Sequence, residues 1–267
     1  MHLPKKEFAT SQIEDRIVSL DEINLLAISS LREAIQKATA FVMNDDNSNR
    51  KLQLLDILSN NIENFIGHSK EEISKIFIQR LISIVGVVSK GLHEHQERVG
   101  IASALMSRKL DLDLQTIKQI LVAGRIHDNG KIFINPYIVT KNGILTKDEH
   151  EAMKTHPEHS ARIIQGVVHN NIYKIVLEHH ENYNGSGYPQ GLSEENISIG
   201  GRILKVIDCA DAMQRQNNIG RMHQGKKSKE EIIQELTDGS GEQFDPKIVT
   251  KFKEKHVQNL IFELLSF

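Results

Sequence analysis

Cysteine is almost missing from this 267-residue chain: the only one is Cys209. That excludes an intramolecular disulfide and leaves no thiolate set for a structural zinc, and a reducing cytoplasm is the expected compartment. Long apolar runs are also missing. The opening MHLPKKEFATSQIEDRI lacks the hydrophobic stretch of a signal peptide, and the densest apolar run, Ile78 to Val88, is interrupted by Gln79, Arg80 and Ser83. It is too short for the roughly twenty apolar residues of a membrane span and reads as a core helix, so no membrane partner is expected. Nor does one sign of charge dominate: 33 basic and 35 acidic residues leave a net charge of -2. With no bulk positive field, polymeric nucleic acid is not the expected partner, and any phosphate must be held by a few local groups or by metals. The alternation of period two that marks sheets is nearly absent as well.

What is present is helical periodicity, which predicts an all-α fold. The 39% hydrophobic content is enough to bury a sizeable core. Leu20 to Val42 forms one amphipathic pattern, a polar MNDDNSNR turn follows, and KLQLLDILSNNIENFI gives a second helix. Ser69, with Glu72 three residues on, predicts a capping box at the start of a long third helix running through IFIQRLISIVGVV into HEHQERVG. The division is therefore placed at Ser69. Residues 1–68 form an N-terminal helical hairpin that packs on the remainder or on a second copy of the chain as a homodimer, and residues 69–267 carry the chemistry.

That chemistry is signalled by apolar stripes that end in ionisable residues. In QTIKQILVAGRIHDNGK the stripe Ile117, Ile120, Leu121, Gly124 continues into His127, Asp128 and Lys131; in YKIVLEHHEN the stripe Ile172, Ile175, Val176 continues into His179 and His180. On the long helix Ile84, Val88, Leu92, His95, Val99 and Ala102 share a face, whereas His93 lies about 200° of helical rotation from His95. His156 sits before Pro157 on the face of Met153, and Asp208 and Asp211 lie one turn apart. A buried imidazole or carboxylate costs several kcal/mol, roughly, unless it is bonded, paired or ligated. One such residue is ordinary in a core; several helices ending alike point to metal. Imidazole with carboxylate suits Fe, Mn, Ni or Zn. His95, His127, Asp128, His156, His179, His180 and Asp208 exceed the needs of one tetrahedral ion, so two divalent ions are expected, and two ions in turn favour hydrolysis at phosphorus.

These segments resemble the HD-GYP family of metal-dependent phosphodiesterases that linearise cyclic di-GMP. The resemblance runs roughly from Leu92 to Phe252 and rests on HQERV at His95, HDNGK at His127, GILTKDEHEAMKTHP ending at His156, HHENYNGSGYPQGL from His179, RILKVIDCADAM around Asp208, and GEQFDPKIV. It implies an HD-domain-like helical bundle and hydrolysis of cyclic di-GMP to linear pGpG or GMP through a metal-bridged hydroxide. His95, His127, Asp128 and Asp208 would hold one ion and His156, His179 and His180 a second, with Asp128 bridging. Iron or manganese is the expected metal, nickel or zinc the alternative. Some members hold a third ion through a glutamate four residues before the first ligand histidine; here that residue is Gly91, which implies a dinuclear centre. Lys131 would contact the scissile phosphate, Tyr188 would line the pocket, and Gly185 and Gly187 would allow the GSGYP turn, with Pro189 stiffening its exit. The family's RPYR-like motif is altered: Asp211 matches the acid that contacts guanine and Arg221 the first arginine, but His223 and Gln224 replace the tyrosine and the second basic residue. A second substrate reading, another cyclic dinucleotide such as cyclic GMP-AMP or a nucleotide monophosphate, follows from that departure. A third reading is a non-catalytic nucleotide-binding module that signals through its N-terminal helices.

Overall fold

The computed structural model describes residues 20–42, 68–141, 143–215 and 226–266. Among the described residues there are helices and turns but no β-strand, only the isolated bridges Asn184–Ser193 and Ser240–Phe244. The expected all-α fold is thus the observed one. No described helix is long and apolar enough to cross a membrane.

The first helix, α1, spans Leu20–Val42. The second helix expected over KLQLLDILSNNIENFI lies outside the described residues. Helix α2, Lys70–Val88, begins as expected: Ser69 accepts from the Glu72 amide while the Glu72 carboxylate takes the Ser69 N–H at 2.9 Å. The predicted long helix, however, is two helices. Ser89 adopts φ −151° and ψ 104°, closing α2 and serving as N-cap of α3, Lys90–Lys109, by accepting from the Leu92 amide. A hydroxyl that satisfies an orphan N–H makes a break at this serine favourable, and no glycine or proline announces it at that residue. The inward stripe survives: Ile84, Val88, Val99 and Ala102 are buried, and the His93 ring packs back toward Gly86.

Helix α4, Leu114–Ile126, starts at Asp113, which caps the Thr116 amide. It crosses α3 where two glycines meet: a Cβ on Gly124 would stand 2.5 Å from the Gly100 Cα. Only backbone against backbone fits there. A 3-10 turn, Asn129–Phe133, leads to the short α5, Pro136–Val139, followed by α6, Lys147–Met153, and α7, His156–Ile164. Then come α8, Asn170–Glu178, and α9, Ile199–Gln214. Three further helices, α10 Lys229–Asp238, α11 Pro246–Phe252 and α12 Lys255–Leu264, complete the described chain.

One apolar core runs through these elements, with Phe77, Phe252, Phe262, Ile73 and Leu81 among its largest fully buried side chains. Each contributes about 1.5–3 kcal/mol relative to an exposed position. Ala27, Leu31, Ala34 and Ala38 of α1 belong to the same core, and Glu33 pairs with Arg162 of α7 at 3.0 Å. Helix α1 thus packs against α2, α7 and the 3-10 turn that follows Asp128. The effect of the packing is to bring the C-terminal ends of α4, α6 and α8 together beside α3 and α9.

Candidate metal centre

The last carbonyls of an α-helix lack partners within the helix. Three histidines use them. His127 Nδ1 lies 2.8 Å from the Gly124 carbonyl at the end of α4, His156 Nδ1 2.7 Å from Met153 at the end of α6, and His179 Nδ1 2.6 Å from Val176 at the end of α8. Each Nδ1 therefore donates and each Nε2 keeps its lone pair. Those lone pairs face one another: the His156 Nε2 is 3.2 Å from that of His179 and 3.1 Å from that of His180. The fully buried His127 Nε2 has no hydrogen-bond partner among the described residues.

Asp128 stands between two sets of nitrogens. Its Oδ1 is 3.0 Å from His156 Nε2 and 3.9 Å from His179 Nε2, while its Oδ2 is 3.5 Å from His127 Nε2 and 3.6 Å from His95 Nε2. Asp208 Oδ1 lies 3.1 Å from His95 Nε2 and 4.0 Å from His127 Nε2. One atom from each of Asp128, His156, His179 and His180 falls within 4.8 Å of the others, and the same holds for His95, His127 and Asp128. Six of the seven expected ligands thus form two groups sharing the Asp128 carboxylate, and Asp208 lies beside His95 and His127.

Electrostatics show what the cluster lacks. Burial pushes His127, His179 and His180 down, the latter two far below the ordinary imidazole range, so all three favour the neutral form. Burial alone would raise the Asp128 pKa, but Lys131 and the surrounding imidazoles hold it well below the usual carboxylate range. At His95 burial also opposes charge, yet hydrogen bonds to Asp128, Asp208 and Asp211 push its pKa up to about 10. The carboxylates of Asp128, Asp208 and Asp211 thus favour a positive charge at this end of the cluster. Convergent Nε2 lone pairs, an unpartnered His127 Nε2 and a nitrogen and oxygen donor set without thiolate fit divalent transition ions, with the Nδ1 latches as the outer support such ligands need.

The residues expected to meet a nucleotide fare differently. Lys131 is largely buried, its ammonium 2.5 Å from Asp128 Oδ2. Tyr188 stacks on His180, centroids 5.0 Å apart and planes inclined by 17°, and borders a cavity of about 930 Å³ that His180 enters. Asp211, expected to contact guanine, is engaged by two protein side chains. It is 1% exposed, its Oδ2 receives His95 Nδ1 at 2.7 Å, and Arg98 donates to both of its oxygens at 2.8 and 3.2 Å. Its carboxylate orients His95. Arg221, His223 and Gln224 lie outside the described residues.

The GSGYP turn is as tight as its glycines imply: Gly185 has φ +83°, and a Cβ on Gly187 would stand 2.2 Å from the Asn182 nitrogen. Its organiser, missed in the sequence, is Glu181, whose carboxylate accepts from the amides of Gln190, Gly191 and Leu192 at 2.6, 3.2 and 3.1 Å. A glutamate between the histidine pair and a glycine-rich turn was the available signal. Also missed was Lys205, an interior lysine in the apolar run of RILKVIDCADAM, which lines the cavity.

The HD domain family matches residues 55–248. A cyclic di-GMP phosphodiesterase of Thermotoga maritima is 34% identical over 183 residues, covering 66% of this chain and 49% of the relative. The 3'3'-cGAMP-specific phosphodiesterase 2 of Vibrio cholerae is 30% identical over 181 residues, 67% of this chain and 34% of its own. The chain therefore spans about half the length, or less, of these relatives. Among solved structures, an HDG"Y"P protein from Bdellovibrio bacteriovorus shares the fold with a TM-score of 0.51 at 16% identity, over 95% of this chain and 74% of that one. With the family match covering most of its length, and with the motif order read from its sequence, this chain belongs to the HD domain family, in its HD-GYP branch.

Proposed function

We propose that residues 69–267 form a dinuclear-metal phosphodiesterase that hydrolyses cyclic di-GMP to linear pGpG or GMP. The observation that carries this reading is Asp128, which turns one oxygen to the His156 and His179 nitrogens and the other to those of His95 and His127. Asp128 would bridge two ions, with His95, His127 and Asp208 completing one site and His156, His179 and His180 the other. Divalent ions bound there, iron or manganese before nickel or zinc, supply Lewis-acid polarisation of the phosphodiester and activation of water. Hydrolysis joins a water oxygen to phosphorus and releases the ribose 3′ oxygen, which leaves with a proton.

The chain's own groups do the rest. Lys131, held against Asp128, is placed to donate to a phosphate oxygen and to neutralise charge growing on the leaving oxygen. Tyr188, stacked on His180, lines the metal end of the cavity and would border the bound nucleotide there. The cavity, at about 930 Å³, is near the upper end of the roughly 300–1,000 Å³ common for ligand sites.

The test is incubation of purified, metal-analysed protein with a panel of cyclic dinucleotides, followed by chromatography of the products. Two ions per chain and a linear product from cyclic di-GMP are expected. Faster turnover of cyclic GMP-AMP would favour the second substrate reading that the replacement of a basic residue by Gln224 raises. Folded protein that binds nucleotide without turnover would leave a signalling module, and folded protein without metal would overturn the enzyme reading.

A further inference from the structure

A lysine whose stem is buried in a cavity wall directs its charge at whatever occupies the cavity, and an anion is the occupant that charge suits. Lys205 of α9 is 9% exposed and lies in the cavity wall with Cys209, Ala212 and Met213 of the same helix. It has no ion pair with any described carboxylate. Of the acids lining the cavity, Glu235 pairs with Lys227 and Asp238 accepts from Gln234, and none of Glu235, Asp238 and Glu242 forms an ion pair with Lys205. Lys205 lines the same cavity as His180, which stands at its metal end. Lys131, by contrast, pairs with Asp128 at the metal end, where the cleaved diester would lie. The cavity thus begins at the cluster and carries in its wall, besides the exposed Lys147, the buried Lys205, which has no ion pair among the described residues.

Resting on the phosphodiesterase reading above, we propose that Lys205 binds the second, uncleaved phosphodiester of a cyclic dinucleotide. A cyclic dinucleotide carries two phosphodiesters in one ring, so a metal cluster that engages one leaves the other to be held by the wall. Lys205 then makes the site selective for two-phosphate rings over molecules with a single diester. A point charge suits this task, since it neutralises a phosphate without demanding one orientation of the ring.

The experiment compares metal-loaded wild type with Lys205→Met and Lys205→Arg, using cyclic di-GMP and the single diester bis(p-nitrophenyl) phosphate. Metal content and melting temperature are measured on each protein. Loss of a charge-assisted contact should raise KM for cyclic di-GMP about tenfold or more in Lys205→Met. The penalty on the single diester should be several-fold smaller, Lys205→Arg should retain most of the affinity, and metal content should hold. The inference is overturned if Lys205→Met uses cyclic di-GMP with the wild-type KM, or if both substrates suffer equally, since the lysine would then be supporting the cluster rather than a second phosphate. Wild-type protein that cleaves neither substrate overturns the phosphodiesterase reading and this inference with it, a result distinct from an active wild type indifferent to Lys205.

Discussion

Replacing Asp211 by asparagine separates two roles that one carboxylate could play. The side chain keeps its shape but loses its charge, and an amide cannot accept from both His95 Nδ1, now at 2.7 Å, and the two Arg98 contacts at 2.8 and 3.2 Å. Arg98 and Asp211 are both buried. Leaving one partner of a buried pair uncompensated costs about 3 kcal/mol or more. In a chain of this size each kcal/mol lowers the melting temperature by roughly 2–4 °C, so a fall of about 6–12 °C is expected. Loss of the group that orients a ligand histidine also weakens metal binding by about 10- to 100-fold. Asp211→Asn should therefore need correspondingly more metal for half-maximal occupancy, measured by competition with a chelating dye. At saturating metal its KM for cyclic di-GMP should be close to that of wild type. Unchanged metal affinity together with a raised KM would refute this reasoning and return Asp211 to the role of a guanine contact.

Asp128→Ala should abolish turnover and lower the occupancy of both ions, whereas His93→Ala, whose ring packs toward Gly86, should leave metal content near two per chain by elemental analysis. Equal metal loss in both variants would contradict the division of α3 into inward and outward faces. Gly124→Ala should destabilise the fold by about 1–3 kcal/mol, because its methyl would stand 2.5 Å from the Gly100 Cα, and an unchanged melting curve would contradict the close crossing. Removing metal with a chelator should lower the melting temperature in a way that added metal reverses, since ions that bind only the folded cluster stabilise it by mass action; an identical melt with and without metal would count against the site.

Candidate ligands stood out in the sequence where a residue broke a local rule. His127, Asp128, His179 and His180 stand where an apolar stripe demands a hydrophobic residue, and that signal needs only neighbours in the chain. The break at Ser89 was hidden for the opposite reason: serine is ordinary within a helix, and the hydroxyl bond to Leu92 that favours the break appears only in the fold. Asp211 was visible as an inward acid, but its partner His95 lies 116 residues away, so its orientation role depends on tertiary packing. The Nδ1 latches depend on where α4, α6 and α8 end, and helix ends are the least sharply encoded part of a periodic pattern. Lys205 was within reach of the stripe argument, since it interrupts the apolar sequence Ile203, Leu204, Val206, Ile207.

The crossing of Gly100 and Gly124 sets a manufacturing tolerance for the cluster. His95 is carried by α3 and His127 by the end of α4, and the two helices touch between these ligands without an intervening side chain. Metal–ligand distances must hold within about 0.2 Å, whereas a single methyl forced between two backbones moves them by something on the order of 1 Å. Two residues with no functional group therefore gauge the spacing of the donor atoms. A screen scored by catalytic rate would group them with the imidazoles, while one scored by chemical identity would pass over them.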